Sequence, residues 1–375
     1  MKFYNRMIDV IIPAYNVPDE TLFRCLASIA CQTIVNEVKV TVVDDASTTQ
    51  NYEMVTNMFK PLMDVQVLRY EKNGGPGVAR QYGLDNTSNG LITFIDADDT
   101  FNGAFALQAL RCGIETDNLN VIAIANFDEI VETIPEVNGV LVSDPRQGPL
   151  IVPHDQDVVW MFGKMYTRKF IDKYKIAFHP TSRANEDNGF NTLCNLCCND
   201  FEKINFINAR VYYWHENLNS ITRQNNGQYS YSAGENNSFY GYVENMIYAI
   251  SNAIDRKKGS NQKIDAWANN CMVFLYQYYI ECVGRAPEHA AANFTQCKRF
   301  YDEVYSDVRT RIPPEFFIQA HEEFMRNAYI NNKFSGFIPC MTITQFLDEL
   351  SLPLREEKDM EVTSDDDKTA IAEND

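Results

Sequence analysis

Over its first hundred positions the chain alternates short apolar runs with helical spacings. Ile8-Asp9-Val10-Ile11-Ile12 is stopped by Pro13, the pattern of a strand covered on both faces. Leu22, Leu26 and Ile29 then recur at helical spacing, with Asp19-Glu20 favouring the helix start. Val38 to Val43 predicts a second strand, Tyr52 to Met63 a second helix, and Val65 to Leu68 a third strand. Pro76 suits a first helical position, and Leu91 to Ile95 closes the series as a fourth strand. This βαβ order predicts an open, mostly parallel sheet with helices on both faces, an α/β architecture of Rossmann type. Ligands of such sheets bind beyond the carboxyl ends of the strands. The polar groups following the strands are Tyr15-Asn16, Asp44-Asp45, Asn73-Gly74-Gly75 and Asp96-Ala97-Asp98-Asp99, and all are expected on one rim.

Beyond Asp99 the pattern predicts a helix from Ala104 to Ile114, a strand from Val121 to Ala125, and a hairpin between Glu129 and Val142 turning at Asn138-Gly139. From about Asn237 the texture becomes helical: Tyr242 to Ala253, Ala266 to Val283, Ala290 to Val308 and Pro314 to Tyr329. The expected organisation is an α/β domain over 1–225, with its boundary near Asn225-Asn226-Gly227, a helical region over 226–352, and a tail over 353–375. The helical region is rich in rings (Tyr240, Tyr242, Tyr248, Phe274, Tyr276, Tyr278, Tyr279). These suit helix packing, a platform for a sugar acceptor, or a homo-oligomer interface.

Length and charge narrow the class. At about 150 residues per domain, 375 residues suit two or three units. A hydrophobic content of 45% and a charged content of 22% are those of an ordinary globular protein. The net charge of −18 disfavours phosphate backbones and anionic lipid as partners outside a local basic groove. Between Arg355 and Asp375 nine carboxylates face three basic residues, too polar a stretch to offset its ordering entropy, so disorder is expected there. No apolar run reaches membrane-spanning length, and Met1 to Arg6 lacks the apolar core of a secretory signal, so a cytoplasmic location is expected. The 10 cysteines fit a reducing compartment. Cys194-x-x-Cys197-Cys198 has no second pair at zinc-ribbon spacing and reads as a buried helix face.

Three rim segments carry candidate chemistry. Asp96 and Asp98, two apart after a strand, can share one hard divalent cation, or can simply cap the next helix. Asp44-Asp45 ends the strand where such sheets read a nucleoside; its bland alternative is a helix cap into Ser47-Thr48. Asn73-Gly74-Gly75-Pro76-Gly77-x-x-Arg80 is a glycine-rich loop entering a helix, suited to an anion, with Arg80 one turn in.

In order and spacing these segments resemble the family 2 glycosyltransferases of GT-A fold. The likeness extends through Gly163-Lys164-Met165-Tyr166-x-Arg168-x-Phe170, Glu186-Asp187, Tyr212-Tyr213-Trp214-His215 and Asn219-Ser220-Ile221-Thr222, and covers roughly Met7 to Arg223. Two positions depart mildly from the family pattern: Ala46 stands for a glycine and Gln81 for an asparagine. The resemblance implies a nucleotide-diphosphate-sugar donor, usually UDP-linked, and Mn²⁺ or Mg²⁺ at the Asp-x-Asp pair. It implies that Pro13, Tyr15, Asn16 and Asp45 line the nucleoside site and that Gly75 and Arg80 lie near the base or diphosphate. Asp96 would face ribose or metal, Asp98 would be the main metal contact, and Asp187 would be the catalytic base. His215 either reaches the metal or packs beside Trp214.

The chemistry makes the same demands. Displacing a nucleotide diphosphate requires charge neutralisation at the leaving group and a carboxylate near the incoming hydroxyl. Attack opposite the leaving group inverts the anomeric carbon. Asp187 at a helix start is expected to stay ionised; the bland reading of Glu186-Asp187 is a helix-start pair. The acceptor remains open among glycan, lipid-linked sugar, protein and modified nucleobase. Two other classes are a nucleotidyltransferase, which would carry a basic glycine-rich signature where Pro13-Ala14-Tyr15-Asn16 stands, and a non-catalytic nucleotide-sugar-binding subunit, which would have lost the acidic pair or the base.

Overall fold

The structure is a computed structural model. It describes residues 6–131, 150–216, 238–313 and 340–353, the backbone of 136–137 and 140–141, and a few isolated positions between 315 and 322. The apolar runs form β1 (Ile8–Ala14), β2 (Val38–Asp44), β3 (Asp64–Arg69) and β4 (Leu91–Phe94). Between them lie α1 (Asp19–Ala30), α2 (Glu53–Phe59) and α3 (Pro76–Asp85). The four strands are parallel and ordered β3-β2-β1-β4, so the strand order reverses between β1 and β4 and opens a crevice at their carboxyl ends. The expected rim residues sit there.

The sheet continues in a way that the pattern did not show. After β5 (Thr100–Phe101) and α4 (Ala106–Glu115), β6 runs from Asn120 to Val131, well past Ala125. The expected hairpin is reduced to β7 (Glu136–Val137) and β8 (Val140–Leu141), which pair antiparallel; its turn at Asn138-Gly139 lies outside the described residues. β9 (Leu150–His154) returns along β6. β10 (Lys164–Thr167) wedges antiparallel between β4 and β6, and leads into α5 (Arg168–Tyr174). After α6 (Glu186–Cys197), β11 (Lys203–His215) lies parallel to β6 and returns antiparallel to β5. These strands were hidden because they are short, or mix polar and apolar residues without clean alternation. The sheet is therefore mixed, with a parallel half for one ligand and an irregular half beside it.

Helices cover both faces. α1, α2 and α4 close one face with Leu22, Leu26, Phe59 and Leu107, against Val10 and Ile12 of β1. α3, α5 and α6 close the other, where Ile11, Phe94, Tyr166 and Phe190 share one apolar cluster. That cluster runs on into helices Ser238–Lys257, Gln262–Arg285, Ala290–Phe300 and Ile343–Ser351 through Phe239, Val243, Leu275, Phe300 and Phe346. The rings of this region pack largely on one another: Phe239 stacks on Tyr278 at 4.2 Å, and Tyr276 lies 5.5 Å from Phe346. A short π-helical turn, Tyr301–Tyr305, joins Phe300 to the helix Ser306–Arg311. The boundary expected at Asn225-Gly227, most of Pro314 to Tyr329, and the tail from Arg355 lie outside the described residues. Among the described residues no helix is long and apolar enough to cross a membrane. The thiols of Cys194, Cys197 and Cys198 are buried and free, and burial raises each pKa, to about 11 for Cys197 and about 12 for Cys198. They stay protonated and serve as core, as the pattern implied.

Ala46 explains the glycine of the family pattern. It follows Asp45 with φ +58°, in the left-handed region. A Cβ there costs about 1–2 kcal/mol, and glycine returns about 0.5–1 kcal/mol of that through its unfolded-state freedom. Ala46→Gly should therefore raise the unfolding free energy by up to about 1 kcal/mol in a urea titration; a lower midpoint would show that the turn does not strain alanine.

Candidate active site

The nucleoside side of the rim is a loop assembly organised by Asp45. Its carboxylate accepts from Tyr70 Oη at 2.5 Å, Asn73 Nδ2 at 3.0 Å, Gly74 N at 2.7 Å and Gly75 N at 2.8 Å. Asp45 thus holds the glycine-rich loop in shape. Asp44 caps Ser47 N at 2.8 Å and pairs with Arg69. Asn16, at φ +51°, accepts from Thr48 N at 2.8 Å and Thr49 N at 3.1 Å, so its side chain braces the neighbouring loop. Tyr15 is 47% exposed and Pro13 half-buried beside it, leaving an aromatic face open at the strand end. Gly75 takes φ +88° as the loop enters α3. Arg183, which the sequence reading assigned no role, lies over the same loop: its guanidinium donates to Asn73 Oδ1 at 2.8 Å and Asn73 O at 2.7 Å.

Arg80 is turned inward. It is 4% exposed and forms two ion pairs, Nη2 with Asp96 Oδ1 at 2.6 Å and Nη1 with Glu186 Oε1 at 2.8 Å. Burial alone would lower its pKa; the carboxylates of Asp96 and Glu186 outweigh that and raise it, so the charge is permanent. The close approach depends on Gly77, where a Cβ would stand 2.8 Å from Glu186 Cγ. Arg80 therefore ties the end of β4 to the start of α6. The arginine of the Lys164-to-Phe170 segment is likewise internal: Arg168 pairs with Asp9 at 3.0 Å and donates to Leu84 O at 2.8 Å.

The acidic pair and His215 come together through Asp99. Its buried carboxylate accepts from Tyr212 Oη at 2.6 Å and His215 N at 2.8 Å, drawing β11 onto the turn after β4. Burial, then the charges of Asp98 and Asp96, push the Asp99 pKa up. Burial, helped by Arg24, lowers that of His215 to about 4, so its ring is neutral. His215 Nε2 lies 3.0 Å from Thr100 Oγ1, while Nδ1 is buried without a partner. Carboxylate and neutral imidazole are ligand types that suit Mn²⁺ or Mg²⁺, and Asp99 joins the segments that carry Asp96, Asp98 and His215. Among the described residues no three acidic, histidine or cysteine side chains already converge on one cation. Any such ion needs further oxygens.

Asp187 opens α6, half-buried, with Oδ1 accepting from Asn188 N at 2.7 Å. Burial, then Glu186, raises its pKa to about 7; Arg80 opposes the rise. The helix start was expected to keep this group ionised. Desolvation and a like charge win, because both act more strongly here than a partial helix dipole. The loop before it is braced from outside the α/β frame. Asn245, fully buried on helix Ser238–Lys257, donates to Ser182 Oγ at 2.8 Å and Ala184 O at 2.9 Å. Asn185 donates to Ser238 O at 2.7 Å. Asn245 gave no sequence signal, since a lone asparagine in an amphipathic helix has no pattern.

A parallel nucleotide-type crevice with an acidic pair on one lip and a carboxylate on the other is the GT-A architecture. Residues 9–180 match the model of the family described as Glycosyl transferase family 2. Over 223 residues the chain is 24% identical to the uncharacterized glycosyltransferase EpsJ of Bacillus subtilis, covering 58% of this chain and 63% of that protein. It is 26% identical over 212 residues to the poly(ribitol-phosphate) β-N-acetylglucosaminyltransferase TarS of Staphylococcus aureus, covering 55% of this chain and 35% of that one. The match therefore spans less than two thirds of either relative. The crystal structure of S. aureus TarS 1–349 in complex with UDP-GlcNAc superimposes with a TM-score of 0.56 at 16% identity, over 88% of this chain and 94% of that one. This likeness takes in the helical region as well as the sheet, and it is a likeness of fold.

Removing Arg80 tests the link between the two lips. Arg80→Met leaves Asp96 and Glu186 without a counter-charge and should cost about 3–5 kcal/mol in chemical denaturation. The double variant with Glu186→Gln should recover part of that loss. Equal midpoints for the single variant and the parent would mean that the buried triad does not hold the site together.

Proposed function

We propose that the protein is an inverting glycosyltransferase that moves a sugar from a UDP-sugar to an acceptor hydroxyl. The observation that carries this reading is the pairing, across one crevice, of the Asp96–Asp99 turn with Asp187, whose pKa of about 7 suits a base at neutral pH. The match of residues 9–180 to family 2 supports it, as does the fold shared with a UDP-GlcNAc-bound enzyme. Neither alternative class is favoured: Pro13 to Asn16 carries no basic charge for gripping a triphosphate, and the acidic pair, His215 and Asp187 are all retained.

In this reading Tyr15 and Pro13 cover the nucleobase, while Asp45 and Asn16 act through the loops they hold. Gly74 and Gly75 bring the glycine-rich loop close to the donor. Asp98, with Asp96 and His215, would hold a divalent cation, which when bound supplies charge neutralisation at the diphosphate. Arg80 acts by fixing Asp96 and Glu186, so both lips keep their spacing. Asp187 accepts the proton from the incoming hydroxyl as it attacks the anomeric carbon from the face opposite the diphosphate. Glu186 stays paired with Arg80 and raises the basicity of its neighbour. Burial does the rest.

Three measurements bear on these roles. Asp187→Asn should lower transfer from UDP-GlcNAc, or whichever UDP-sugar is consumed, by about 100-fold or more, with little change in UDP binding by calorimetry. Because the deprotonated carboxylate is the active form, the parent rate should fall below a pH of about 7 and level off above it. A profile flat down to pH 5 would remove Asp187 from the reaction. Asp98→Ala, or EDTA, should abolish UDP-sugar binding seen with Mn²⁺; undiminished affinity in both would remove the metal from this site.

A further inference from the structure

We propose that Trp160, Phe162 and Trp214 form an acceptor subsite that stacks on the apolar face of a pyranose ring, so that the acceptor is a carbohydrate. The inference rests on the glycosyl-transfer reading for its role in catalysis, and on the geometry of an aromatic ladder for its existence.

The ladder begins in the core and ends in the open. Phe127 on β6 stands opposite both Tyr212 on β11 and His154 on β9, and stacks on His154 at 4.8 Å. Phe162 lies across the next level, stacked on Tyr212 at 5.1 Å and on Trp214 at 5.5 Å. Trp160 completes it, 5.6 Å from Phe162 and 5.7 Å from Trp214. Phe127 and Tyr212 are almost fully covered, whereas Trp160 is 37% exposed. A ladder serving only the core would bury its largest ring.

Its position argues for the acceptor. At one end Tyr212 donates to Asp99 and lies 3.3 Å from Asp96 N, and Trp214 directly precedes His215. At the other end the carbonyl of Trp160 accepts from Asn191 Nδ2 at 3.1 Å, and Asn191 stands one turn after Asp187 on α6. The rings therefore bridge the acidic turn and the base, where an incoming hydroxyl must be held. The support is rigid. Lys164, buried and with its pKa lowered to about 8 by that burial, donates to the carbonyls of Trp160 and Phe162, and Gly163, between Phe162 and Lys164, takes φ +58°. A flat aromatic face beside hydrogen-bonding groups is what a sugar ring requires. Glu129, opposite Trp214 in register and 3.3 Å from His154 Nε2, supplies the polar edge.

The test uses the full chain, with Trp160→Ala and Trp160→Tyr as variants and chitobiose, cellobiose, lactose and maltose as probes. Saturation-transfer NMR should show binding of at least one disaccharide to the parent. Its dissociation constant should rise about 10-fold in Trp160→Ala and recover in Trp160→Tyr, which keeps a ring. UDP calorimetry on each variant reports whether the fold and donor pocket are intact. No signal from any disaccharide, or equal affinity in Trp160→Ala, overturns the subsite. Sugar binding that depends on Trp160, without consumption of any UDP-sugar, supports the subsite while refuting glycosyl transfer. Consumption of a UDP-sugar with an acceptor KM unchanged in Trp160→Ala does the reverse.

Discussion

A buried guanidinium ties the two lips of the crevice together. Arg80 sits between Asp96 at the end of β4 and Glu186 at the start of α6, and both bonds are short and charge-assisted. Taking one cation and two anions out of water is expensive, and the geometry recovers that cost only if all three groups stay in place. The triad therefore couples Arg80 to a residue 106 positions further along the chain. It also leaves net negative charge at the site, which a bound cation would balance. The pKa of Asp187 follows from the same arrangement: Glu186 pushes it up, Arg80 restrains it, and burial sets the scale.

Several polar residues on the rim hold their neighbours in place. Asp45 accepts from Tyr70, Asn73, Gly74 and Gly75, so it shapes the glycine-rich loop. Asp99 is saturated by Tyr212 and His215 and fastens β11 to the acidic turn. Both are buried carboxyl groups that make good their lost hydration with directed hydrogen bonds. What remains accessible is a smaller set: Tyr15, Asp98, Asp187 and the edge of Trp160.

The described part of the helical region braces the candidate site. Asn245 and Ser238 hold the segment from Ser182 to Asn185, so Asp187 follows a loop clamped from two sides. The apolar cluster that begins on the sheet at Ile11 and Phe94 continues through α6 into these helices. Among the described residues its rings pack largely on one another, as in Phe239 on Tyr278.

Local pattern alone was enough for the βαβ frame. Buried β-branched runs, helical spacings and Pro76 depend on near neighbours in the chain, and the parallel half of the sheet follows from them. The rim residues were legible for the same reason, since the carboxyl ends of parallel strands lie together whatever else the chain does. Tertiary structure decided the rest. β5, β9, β10 and β11 exist because partners from distant segments satisfy their backbones, and no periodicity announces such strands. Arg80 and Asp45 look like ligand contacts in sequence and carry internal ties in the structure, because a side chain's partner depends on what packs opposite it. The basicity of Asp187 reverses the expectation from its helix start, since desolvation is a property of the folded surroundings and outweighs the local dipole.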